Sequence, residues 1–148
     1  MSARRILDAG LIVLAVASPL TISAPDDATL TVKVTGAVPS KGQLVLTIFT
    51  SKETFLEEPH ATKIAPIGSD GHVVLQVNEL KPGTYAVSVY YDQDNNGKLN
   101  TGLFGIPTEL VGFSNNARGL FGPPSFREAA FDLSSDKSIE IKLRKAKD

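Results

Sequence analysis

Apolar residues recur at every second position through much of this chain, the period of a strand that turns one face to a core and the other to water. Leu30, Val32 and Val34 alternate with Thr29, Thr31, Lys33 and Thr35, and Gly36 closes the run. A second strand is predicted over Leu44 to Phe49 behind Gly42. A third carries Val73, Leu75 and Val77, and a fourth carries Tyr85, Val87, Val89 and Tyr91. Ile139, Ile141 and Leu143 mark the last. Weaker patterns cover Thr62 to Ile67 and Phe126 to Leu133, and Ser51 to Glu58 reads as a single helical turn with Ser51 as its N-cap. About seven short strands with almost no helix predict an all-β fold, an antiparallel β-sandwich of immunoglobulin-like or transthyretin-like form.

In LKPGTYAVSVYYD, Pro82 and Gly83 suit the centre of a type II turn, with Tyr85 at the strand entrance. Tyr85 is then either a corner tyrosine, its hydroxyl bonded back to nearby backbone, or simply a strand aromatic.

Composition narrows the class. A chain of 148 residues is the size of one domain, and 42% hydrophobic against 21% charged residues excludes disorder as the default state. Lys and Arg number 15 against 16 Asp and Glu and are scattered, which gives no footprint for nucleic acid. No cysteine is present, so there is neither a disulfide framework nor the cysteine that a lipoprotein acylates. Residues 1–24 differ from the rest: Arg4 and Arg5 precede the apolar run AGLIVLAVA, and Pro19 interrupts it. That is the pattern of a secretory signal peptide, with an uncleaved anchor as the alternative, and it leaves residues 25–148 as one β-sandwich domain. The expected location is secreted or periplasmic, with no stable membrane insertion after cleavage.

The candidate chemistry lies in Asp92 to Asn100, DQDNNGKLN. Asp92, Asp94 and Asn96 stand at alternate positions, Gly97 supplies a tight turn, the Lys98 carbonyl follows, and Leu99 is expected to anchor the loop to the core. Calcium takes six to eight oxygen ligands, and such a loop supplies several of them. The glutamate required at position twelve is replaced by Leu103, so Asn100 or Glu109 would have to complete the set. Asn96–Gly97 is also a preferred hairpin dipeptide, and Asp and Asn cap turns without metal. Both readings stay open, a Ca2+ site or a hydrogen-bonded turn.

From Asn100 to Ser125 no period is sustained. A connection of that length is functional or disordered more often than not. Leu103, Phe104, Ile106, Leu110, Val111, Phe113, Leu120 and Phe121 are too apolar to be left in water, so an ordered, packed excursion is expected. The text DQDNNGKLNTGLFGIPTE, GFSNNARGLFGPPSF and EAAF resembles the bacterial family of uncharacterised secreted proteins called domain of unknown function 2141, over roughly residues 29 to 143. The resemblance implies an exported β-sandwich with this loop as its hallmark, and no activity. Arg118 within the hallmark either clasps an anion or braces the loop against Asp92, Asp94 or Glu109. Phe104, Phe113 and Phe121 are either core plugs or an aromatic platform for a protein, peptide or glycan. Asn115 and Asn116 complete the candidate ligand-binding set.

Catalysis finds little support. Ser114 sits in a sequence close to a nucleophile elbow but lacks its last glycine, and His60 and His72 are too far apart for a zinc motif. Asp92 and Asp94 serve ligation more naturally than opposed acid and base roles. The leading expectation is a non-catalytic binding module, followed by a structural envelope module, and last a small Asp-dependent hydrolase.

Overall fold

The computed structural model describes residues 27–147. The expected signal peptide lies outside the described residues. Among the described residues eight strands form two sheets: β1 (Ala28–Thr35), β2 (Gln43–Phe49), β3 (Ala61–Pro66), β4 (Val73–Leu80), β5 (Gly83–Asp92), β6 (Val111–Phe113), β7 (Phe131–Leu133) and β8 (Lys137–Lys142). One sheet has the order β4-β1-β8. The other runs β3-β2-β5-β6, with β7 also paired to β5. Every pairing is antiparallel except β1 with β8.

The alternation seen in the sequence sets the register. Val32 and Val34 lie between Leu75 and Val73 of β4 and Ile139 and Ile141 of β8, while Leu44, Leu46 and Ile48 oppose Tyr91, Val89 and Val87. These rows from the two sheets meet in one buried core, the defining feature of a β-sandwich. In β4 strict alternation would carry Glu79 inward after Val77. A bulge opposite β1, with Glu79 at φ 59°, skips that position and returns Leu80 to the core.

Several local expectations are corrected. Gly83 does not adopt the positive φ that a type II turn needs, and it begins β5 directly. The Tyr85 hydroxyl nevertheless donates to the Lys81 carbonyl at 2.7 Å, so Tyr85 is a corner tyrosine. Ser51 to Glu58 is a series of turns rather than a helix, because Leu56 takes a left-handed φ of 65°. Its Phe55 packs edge-on between Phe49 and Phe126. The weak strand predicted over Phe126 to Leu133 divides into one helical turn, α1 (Phe126–Ala129), and β7. Ser125 caps α1 reciprocally with Glu128. No helix among the described residues is long and apolar enough to cross a membrane.

Candidate functional site

Asp92 ends β5 fully buried, which is costly for a carboxylate unless its oxygens are occupied. They accept from the Gln43 side chain at 2.7 Å, the Gly97 amide at 2.9 Å and the Asn96 amide at 3.1 Å. Burial pushes the Asp92 carboxyl up, but these hydrogen bonds outweigh it and hold the group below its ordinary value. The loop therefore closes on Asp92. Asn96 accepts from the Lys98 amide, and its own side-chain nitrogen reaches Asp94 at 3.1 Å and Asn100 at 2.7 Å.

Glu109 brings a third carboxylate to the loop from outside it. The chain turns back through Leu103 to Pro107, and the two Glu109 oxygens accept from the Gln93 amide at 3.1 Å and the Asn100 amide at 2.9 Å. One carboxylate oxygen each from Asp92, Asp94 and Glu109 comes within 4.8 Å of the others, a spacing that a divalent ion can bridge. The Asn100 amide nitrogen rests on Asp94, and a half-turn of that amide would present its oxygen instead. The set fits an oxygen-seeking cation. It fits equally a clamp of hydrogen bonds that ties the loop shut. Leu99 does not anchor it, since that side chain is exposed.

Beyond Glu109 the hallmark text acts first as a bracket. β6 lies against β5, with Phe113 half-buried opposite Ser88. Ser114 is fully buried. Its hydroxyl accepts the Val87 amide at 2.9 Å and points at the Ala129 carbonyl, which makes it a brace between β5 and α1 with no face open to substrate. Asn115 donates to the Glu128 and Ala130 carbonyls, and Asn116 accepts from the Lys142 amide at 2.9 Å. These amides are directed at backbone. Both asparagines take left-handed φ, near 60° and 48°, a conformation that asparagine tolerates better than most residues.

The apolar tips behave differently from the sequence expectation. Leu103 and Phe104 are 83% and 97% exposed, and Leu120 and Phe121 are 94% and 103% exposed. Each pair sits between two glycines, Gly102 and Gly105 or Gly119 and Gly122, so the text Gly-Leu-Phe-Gly occurs twice. Its leucines were missed as candidates, and the repeat was the signal that would have found them. Of the three phenylalanines singled out, Phe104 and Phe121 reach solvent, while Phe113 belongs to the sheet. Arg118 lines an open depression of about 400 Å³ with Leu110, Lys142, Leu143, Arg144 and Lys145. His60 and His72 are both exposed, and His72 faces Asp70 at 3.5 Å.

Comparison with known proteins gives one curated relative, a membrane protein insertase, YidC, of Buchnera aphidicola subspecies Schizaphis graminum. It is 32% identical over 106 residues, 65% of this chain. The chain spans only 20% of that relative's length. No solved structure matches. The model of a bacterial family described as an uncharacterised protein conserved in bacteria, DUF2141, matches residues 32–142, from β1 to the end of β8 with the bracket and both tips included. The chain belongs to that family.

Proposed function

We propose that the protein is an exported, non-catalytic binding module that presents Leu103–Phe104 and Leu120–Phe121 to a partner from a loop whose base is held rigid. The observation that carries this reading is the exposure of those four side chains in a domain whose other large apolar residues are mostly packed. Burying a leucine or phenylalanine stabilises a fold by roughly 1.5–3 kcal/mol, and the domain forgoes that gain four times. Apolar area left open in this way marks an interaction surface. Ser114, Asn115 and Asn116 make the base of the loop structural; its tips are not.

The carboxylates of Asp92, Asp94 and Glu109 give the base a second support by taking a divalent cation of the calcium class, with oxygens from Asn96, Asn100 and the Lys98 carbonyl as further ligands. A weak extracellular-type site, with Kd of about 10⁻⁴ to 10⁻³ M, suits a loop that already holds its shape through hydrogen bonds. Location outside the cytoplasm rests on the character of residues 1–24.

The test compares wild type with the double variant Phe104→Ser/Phe121→Ser in the producing cell and in solution. The reading expects an unchanged melting temperature together with lost retention in the cell-envelope fraction. A double variant that melts markedly lower would show the tips to be part of the fold, and the reading would fail.

A further inference from the structure

The two tips share a root. The first excursion returns to the sheet at Leu110, whose carbonyl accepts the Tyr91 amide, and the second leaves by way of Arg118. Leu110 and Arg118 line the same depression. The other lining residues come from the end of β8 and the segment after it, where Lys142, Arg144 and Lys145 stand around Leu143. The depression is thus lined by two leucines, Leu110 and Leu143, and by four basic residues, with no acidic residue among them. Lys142 and Arg144 engage the fold through their backbones, by the Lys142 amide to Asn116 and by the Arg144 amide and carbonyl to Val111.

Two residues beyond Arg118, Leu120 and Phe121 form the apex of a turn with no room for a side chain at its foot. A Cβ on Gly119 would lie 2.2 Å from the Gly122 carbonyl oxygen and 2.5 Å from that of Pro123. The turn is closed by backbone, and its two apolar side chains project outward. An apolar wedge beside a basic cluster has the chemistry of a surface that seats hydrocarbon side chains at the acyl boundary while cations meet anionic headgroups.

We propose that this face docks peripherally on an anionic lipid bilayer, with Leu120 and Phe121 entering the interface and Lys142, Arg144 and Lys145 pairing with lipid phosphates. The proposal rests on the reading of the tips as a binding surface and names the partner. The first tip is rooted beside Glu109, whose charge opposes an anionic partner. The second tip therefore leads, and the first follows.

The chain contains no tryptophan, so Phe121→Trp and Phe104→Trp each place a single reporter in the full chain, and neither reads contacts made by residues 1–24. Emission is recorded with vesicles of phosphatidylcholine alone and of phosphatidylcholine with phosphatidylglycerol, at low and high salt. The expected result is a blue shift of Phe121→Trp on phosphatidylglycerol vesicles, larger than that of Phe104→Trp and weakened by salt. Adding Lys142→Glu and Arg144→Glu lowers the vesicle affinity by about fivefold per cation removed, hence at least about 25-fold for the pair. No shift with either vesicle overturns the proposal. So does an equal shift on neutral and anionic vesicles, or a larger one at Phe104→Trp. If acrylamide quenches the reporter freely and vesicles leave it unmoved, the lipid assignment falls and the reading of the tips as an exposed surface stands. If the reporter is already shielded in free protein, the binding-surface reading falls with it.

Discussion

Replacing Asp92 with alanine removes the acceptor on which the whole loop closes. Three donors lose their partner: the Gln43 amide, the Gly97 amide and the Asn96 amide, at 2.7, 2.9 and 3.1 Å. A hydrogen bond to a charged group nets about 1.5–3 kcal/mol. Asn96 retains a second acceptor in Asp94 at 3.3 Å, and Gln43 is only half-buried, so their losses fall at or below the low end. The sum is a destabilisation of about 3 kcal/mol near neutral pH. Asp92→Asn keeps one oxygen but turns an NH2 group toward backbone donors, and about 2 kcal/mol is expected. Urea denaturation of the three proteins measures both. The native Asp92 carboxyl lies below its ordinary value of 3.8, so its contribution is present above that value and is lost as pH falls through the native one. The gap between wild type and Asp92→Ala should therefore close in acid. A gap under about 1 kcal/mol at neutral pH, or one that acid leaves unchanged, would refute the clamp.

Three further outcomes test the frame around the site. Ser114→Ala leaves the buried Val87 amide without its partner and should cost about 1–3 kcal/mol by the same denaturation assay. Gly112→Ala puts a Cβ 2.6 Å from the Ile141 Cγ2 and 3.1 Å from the Val89 Cγ2, an overpacking expected to cost about 1–3 kcal/mol. Burial raises the phenols of Tyr85 and Tyr91 above 10.0 in the fold, so stability should be full below that value and decline as pH rises through the native values. Melting curves across alkaline pH check this, and Tyr85→Phe should flatten the decline in part.

The strands were legible because alternation is a property of neighbours in sequence, and the core rows of β1, β2, β5 and β8 fall where Leu30, Leu46, Val89 and Ile141 alternate. The bulge at Glu79 broke that pattern for tertiary reasons: β4 had to return Leu80 to the core after two polar residues. β6 spans only Val111–Phe113, too short to show a period within the long aperiodic segment. The α1 turn carried its capping box in plain view, Ser125 followed three residues later by Glu128, but the apolar residues around it read as a strand. At the site, the alternating acids are readable, whereas the return of Glu109 is not, since spacing alone does not show where a chain folds back. The tips inverted the expectation. Hydrophobicity predicts burial, and Phe104 and Phe121 are held outside by tight glycine-flanked turns that hydropathy does not register.

Function as a binding module requires that the Leu-Phe tips stand in solvent, ready for a partner. Acrylamide quenching of Phe104→Trp and Phe121→Trp in the free protein tests it most directly, since each variant carries one tryptophan in a chain that has none. Exposed tips give emission at the wavelength of water-exposed indole and quenching close to that of the free amino acid at both positions. A blue-shifted emission that acrylamide barely reaches would place the tips inside the fold and leave no exposed surface for a partner.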